Sequence, residues 1–236
     1  MHTYDRNYFK IALPAALEGL FMILLASTDL IMVGALGALS IAAVSIFMQP
    51  RLILLCFSRS LASSVTLLVS QKAGAGDTNG TSDIMKKSLT LCAIFMGLLH
   101  ILFYIFLDDI FYLMGANDEY MAEAMAYGPI ALAAVYVTSL TLILQAVQLG
   151  YGRTSVIMKT NVCGNVVNLA LNALLIFGFG PIPSLGVTGA AIGTLVSTIF
   201  TLAWTTWILK NESFFSGGSY LPDRAYFHRM MPISIS

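Results

Sequence analysis

Six long apolar stretches, at about residues 11–34, 41–70, 88–106, 127–149, 156–178 and 186–209, alternate with short polar or glycine-rich segments. A helix of about 20 apolar residues crosses the hydrocarbon of a bilayer at 1.5 Å per residue, so each stretch predicts one transmembrane helix. The breaks between them, GALGALS, QKAGAGDTNGTSD, LDDIFYLMGANDE, GYGRT and GFGPIPSLG, carry turn chemistry, and none is long enough for a soluble domain. The predicted fold class is all-α, a polytopic membrane protein built as a six-transmembrane-helix bundle.

Composition agrees. The 236 residues are 58% hydrophobic and 10% charged, whereas a soluble domain carries about 25% charged residues. Formal net charge is zero, so charge position says more than charge total. In an up-and-down bundle Arg6, Lys10, Lys72, Lys86, Lys87, Arg153, Lys159, Lys210, Arg224 and Arg229 fall on one side. The other side instead holds Asp108, Asp109, Asp118, Glu119 and Glu123. Cytoplasmic loops collect Lys and Arg, so both termini are expected in the cytoplasm and the chain in the cell membrane. Arg6 and Lys10 before an apolar run also fit a signal peptide. That run, however, exceeds the usual 7–15 apolar residues and lacks a small-residue cleavage site, which predicts a retained first span.

Polar groups inside spans are costly and usually face the bundle interior or a water-filled cavity. Span five holds Asn161, Asn165, Asn168 and Asn172 at spacings of 4, 3 and 4, which places them within about 60° of one another around a helix. Such a stripe either bonds neighbouring helices or lines a hydrated cavity, and four amides in register favour the cavity. Glu18 and Asp29 share a face of span one, and antiparallel span two carries Arg51 and Arg59. Two structural ion pairs, or a carboxylate that binds H+ or Na+ under the influence of Arg51, both fit this pattern. Span four adds Thr138, Thr141, Gln145 and Gln148 on a broad common side. Gly189, Gly193 and Ser197 form a small-residue series that predicts close helix packing. His100 reads as a hydrogen-bonded interior residue, and Pro14, Pro50 and Pro129 as kinks. Cys56, Cys92 and Cys163 are isolated thiols without metal-ligand spacing.

Neither H-E-x-x-H, G-x-S-x-G nor a Walker A sequence is present. The chain therefore reads as no enzyme and as needing no cofactor. Transport energy would come from an ion gradient or a partner. Near the end, Tyr226-Phe227, four residues and Pro232 repeat the spacing of Tyr8-Phe9, four residues and Pro14. An even number of spans per repeat makes a second repeat parallel to the first. The expected organisation is a lobe at 1–210, a cytoplasmic linker at 211–224, and the start of a seventh helix at 225–236.

The stretches TDLIMVGALGALSIAAVSI, SQKAGAGD and QAVQLGYGRTSVIMKTNVCGNVVNLALNALLIFGFGPIPSLGVTGAAIGTLVS together resemble the N-terminal lobe of multidrug and toxic compound extrusion (MATE) transporters, closest to the DNA-damage-inducible-protein-F-like branch. The resemblance implies one of two six-helix lobes of an exporter, which exchanges organic cations or amphipathic drugs for H+ or Na+ and requires a C-terminal lobe. It implies that Asp29 binds the coupling ion beside Asn168, Asn172 and Thr194, with Na+ a candidate at Asp29 and Asn168. Asn172 stands where the branch often has a second aspartate, which weakens Na+ binding and makes protonation of Asp29 the simpler coupling step. Glu18, Arg51, Arg59, Gln145, Asn161 and Asn165 are the expected substrate-cavity residues. No nucleic acid is expected as a partner. A flippase for lipid-linked saccharides, with Arg51 and Arg59 at a pyrophosphate, and a non-transporting structural half are the alternatives.

Overall fold

The computed structural model describes residues 30–181 and 183–224, together with positions 16, 19, 20, 23, 27, 28, 226, 227 and 230. The described positions of the first span are helical up to residue 34. Beyond it the described residues form the helices α1 (Ala38–Ile46), α2 (Met48–Gly74), α3 (Thr78–Ile105), α4 (Leu107–Leu113), α5 (Asp118–Gly150), α6 (Thr154–Phe177) and α7 (Gly186–Asn211). Among the described residues, five segments are long and apolar enough to cross a membrane: α1 with α2, α3, α5, α6 and α7, with mean hydropathy of 1.5 to 2.1. The protein is a multi-pass membrane protein.

The helices run beyond the apolar stretches because hydropathy marks only the hydrocarbon-facing part of a helix. α3 begins ten residues before its expected span, at Thr78, where the Asp77 carboxylate accepts from the Gly80 amide at 2.7 Å and caps the helix. The segment LDDIFYLMGANDE, expected to be a loop, contains α4. Its Leu107 and Phe111, one turn apart, are buried and pack over Gly128 of α5. Asp108 and Asp109 occupy its first turn, where the helix dipole favours acidic groups. The second expected span divides at Phe47. Pro50 has no N–H to offer the Ile46 carbonyl, so the ladder is interrupted there. It resumes with Arg51 N–H bonding Phe47 O at 3.1 Å.

α5 is the central element. It packs against α1, α2, α3 and α7, and 61% of its most apolar window is buried, against 22–33% for the other four spans. Burial on nearly all sides fits a helix that is apolar all round despite Pro129 within it. By contrast, α3 turns Ile94, Leu98, Ile101, Leu102 and Ile105 outward, as a lipid-facing stripe should. His100, also on α3, is buried with Nδ1 2.7 Å from the Met96 carbonyl and its ring edge-on to Tyr136. Cys92 is buried, whereas Cys56 is exposed.

α6 lies chiefly against α7 and touches α5 much less. Glycines explain this: a Cβ on Gly189 would overlap the Leu175 carbonyl, and one on Gly164 would overlap the Thr201 hydroxyl. The small-residue series thus brings the two backbones together as expected. Replacing Gly189 by Ala should destabilise the protein by about 1–3 kcal/mol, since a backbone carbonyl cannot be moved aside. A Cβ at Gly97 would meet nothing nearer than 3.8 Å, so Gly97→Ala should be neutral or slightly stabilising. Thermal unfolding in detergent measures both.

The segment after α7 folds back as a strap over the start of α3. Lys86 and Lys87, which fall between spans in the hydropathy pattern, are buried on α3. Lys87 meets Asp83 at 2.7 Å and Asp223 at 2.8 Å, Lys86 lies over the Tyr220 ring, and Ser88 and Tyr226 hydroxyls are 2.8 Å apart. Nearby, Arg153 pairs with Glu212 at 2.6 Å. The Lys87 hydrogen bond, and then that of the Tyr226 amide, hold the Asp223 carboxyl below its ordinary 3.8. A depressed carboxyl stabilises the fold above its unfolded value and stops doing so as pH falls through the lower folded one. Amide exchange at Tyr226, which donates to Asp223, corrected for intrinsic rate, should therefore be constant from about pH 7 to 5 and quicken below about pH 4. Loosening at pH 6 would show that this carboxylate does not hold the strap.

Candidate functional site

Because α6 stands away from α5 while both pack on α7, a cavity of about 320 Å³ opens between α2, α5, α6 and α7. Its size falls within the usual range for small-molecule sites. Each wall is one face of one helix. α2 contributes Met48, Arg51, Leu55 and Arg59, and α5 contributes Thr138, Thr141 and Gln145. The third wall is the amide stripe of α6, Asn161, Asn165, Asn168 and Asn172, opposite Thr194, Ser197, Thr198 and Thr201 of α7. Leu30, Val33 and Tyr127 close part of the remainder.

The polar side chains are organised rather than scattered. Asn172 Nδ2 donates to Asn168 Oδ1, and Asn168 Nδ2 donates to Thr194 Oγ1, both at 3.3 Å. Thr194 in turn donates to the Ala190 carbonyl at 2.9 Å. Gly193 makes the deep end possible: a Cβ there would occupy the space taken by the Asn172 amide. Farther along, Gln145 Nε2 donates to Asn161 Oδ1 at 2.7 Å and joins α5 to α6. Asn168 and Asn172 are buried, while Asn161 and Asn165 are half-buried. The cavity thus has a tight amide–hydroxyl end and a more accessible end.

Ten of the polar residues singled out from sequence, Arg51, Arg59, Thr138, Thr141, Gln145, Asn161, Asn165, Asn168, Asn172 and Thr194, meet around this one space. Asp29 and Glu18 lie outside the described residues, and so does the predicted pairing of each with an arginine. Gln148, expected on the same side as Gln145, instead donates to Glu212 at 3.1 Å beneath the strap. Of the α7 hydroxyl row only Thr194 is expected from the family resemblance; Thr198 and Thr201 follow it at helical spacing, a signal present in the sequence but set among apolar residues. Ser197, read as packing, also faces the cavity.

Geometry and sequence relationship agree at this point. The MatE family model matches residues 14–174. The chain belongs to the MatE family. It is 27% identical over 210 residues to the probable multidrug resistance protein NorM of Rhizobium meliloti, covering 89% of this chain and 45% of that protein. It is also 27% identical over 210 residues to an FAD transporter of Shewanella oneidensis, covering 86% of this chain and 45% of the relative. The bent form of the Vibrio cholerae MATE transporter VcmN shares the fold, with a TM-score of 0.86 at 21% identity over 98% of this chain and 53% of that one. The chain spans about half the length of these relatives.

A water-filled cavity has a direct chemical signature, since thiols react as solvated thiolates. With Cys56, Cys92 and Cys163 replaced, Asn165→Cys should react with a hydrophilic maleimide about tenfold or more faster than Ile94→Cys on the outer face of α3. Equal rates would mean that the MatE amide stripe is dry.

Proposed function

We propose that this chain supplies the ion and substrate cavity of a secondary active multidrug exporter, driven by inward movement of H+ or Na+ across the cell membrane. The observation that carries the reading is the single cavity walled by the α6 amides, the α7 hydroxyls and Gln145. The names of relatives such as NorM support drug export in particular. A further six-helix lobe, entered through the strap at 211–224, would complete the transporter, and the excess of Lys and Arg supports a cytoplasmic N-terminus.

In this reading Asp29 takes the coupling ion, a role that rests on the family resemblance. Asn168, Asn172 and Thr194 form the neutral polar end beside which it would act. Their amide and hydroxyl groups carry no charge, so one carboxylate would have to neutralise a bound cation, which favours protonation over Na+ as the coupling step. Asn161, Asn165, Gln145, Arg51, Arg59 and Glu18 then belong to the substrate end. Ion and substrate must favour opposite arrangements of the lobe, because a ligand shifts an equilibrium only by its difference in affinity for the two states.

The test is gradient-driven export from liposomes containing the complete transporter. Asp29→Asn should abolish export under a pH gradient while leaving substrate binding in place. Export at the rate of the parent protein would remove Asp29 from the coupling step, and a response to Na+ but not to pH would replace the proton as the driving ion.

A further inference from the structure

Two arginines face the same cavity, and they decide what kind of molecule belongs there. Met48, Arg51, Leu55 and Arg59 succeed one another at spacings of 3, 4 and 4 along α2, and all four line the space. The two guanidinium groups therefore stand on one face, their Cα atoms about 12 Å apart along the helix. Among the described residues neither has an ion-pair partner, and the described cavity lining contains no carboxylate. Of the other polar groups in the lining, the amides can donate to an anion, whereas the hydroxyls of α5 and α7 already donate to carbonyls of their own helices. Between the arginines Leu55, with Met48 beside Arg51 and Leu142 on α5, offers apolar surface.

We propose that the cavity binds amphipathic organic anions, bearing carboxylate, sulfonate or phosphate groups that Arg51 and Arg59 engage while an apolar body lies against Met48, Leu55 and Leu142. The inference rests on the reading of this cavity as the substrate site and names the substrate class. Arginine suits the task because its planar fork offers paired donors to a carboxylate or phosphate and is less strongly hydrated than an ammonium group. An organic cation held between the two arginines would lose its hydration and meet two like charges. A proton and an anion attract each other within one cavity, so exchange between them must run through opposite conformational preferences rather than rivalry for one carboxylate.

Dyes that share a ring system but differ in charge provide the test. Binding of carboxyfluorescein and of cationic rhodamine 123 to the purified chain in phosphatidylcholine nanodiscs is measured by fluorescence polarisation. The anion should bind at least about tenfold more tightly and weaken as salt rises. Arg51→Gln and Arg59→Gln should each weaken it about tenfold, the loss expected for a charge-assisted hydrogen bond, and leave rhodamine unchanged or tighter. Arg51→Lys and Arg59→Lys should retain part of the preference, with unaltered thermal unfolding showing that the variants fold. Phosphatidic acid added to the nanodiscs should not displace the soluble dye; displacement would assign the arginines to a lipid headgroup instead. If rhodamine binds as tightly, is weakened by Asn168→Ala and ignores the arginine variants, the cavity is the substrate site and the anion assignment is wrong. If neither dye binds, or binding ignores Asn161→Ala and Asn168→Ala, the substrate-site reading falls and the anion assignment with it.

Discussion

The close approach of α6 to α7 is the constraint on which the cavity depends. Leu175 O can sit beside Gly189, Thr201 beside Gly164, and the Asn172 amide beside Gly193 only because none of these positions carries a Cβ. Drawing α6 onto α7 keeps it off α5, and the space left between them is the cavity. A conventional side chain at any of the three glycines would push the amide stripe away from its hydroxyl partners. Packing and polarity are therefore one arrangement: the residues that permit contact between helices also define where water-compatible groups are gathered.

Polar groups are handled differently in the three regions of the lobe. On the central helix they are satisfied locally, as where Ser139 bonds Ser58 across the α2–α5 contact at 2.7 Å. At the strap, Lys87 is taken from solvent but receives two carboxylates, and Arg153 receives Glu212. Inside the cavity Arg51 and Arg59 are exposed to the space itself. A charge in a low-dielectric environment needs a partner, water or a ligand, so the contrast between paired charges at the end of the bundle and guanidinium groups lining the cavity, unpaired among the described residues, separates structural from ligand-facing charge.

The strap also fastens the end of α7 to the rest of the lobe. Gly218 adopts a left-handed backbone, φ 74, against Asp83, where a side chain would strike the α3 backbone. Phe214 meets Tyr151 edge-on beside the Arg153–Glu212 pair. The end of α7 is thus tied to the ends of α3, α5 and α6.

Five of the six expected spans, the amide stripe and the small-residue series could be read directly from the chain, because each depends on a local period: apolar length against bilayer thickness, and 3.6 residues per turn against position on a face. Family membership was equally legible in the ordered motifs. Helix ends, the small amphipathic α4 and the burial of Lys86 and Lys87 were not, since they arise from contacts between segments far apart in sequence. The same holds for the division between Gln145 and Gln148: one periodicity places them on a shared side, but the neighbour that each meets sends one to Asn161 and the other to Glu212. The sequence alone determined which faces are polar. Only the tertiary structure decided which of those faces enclose a common space, because that depends on how closely pairs of helices can approach.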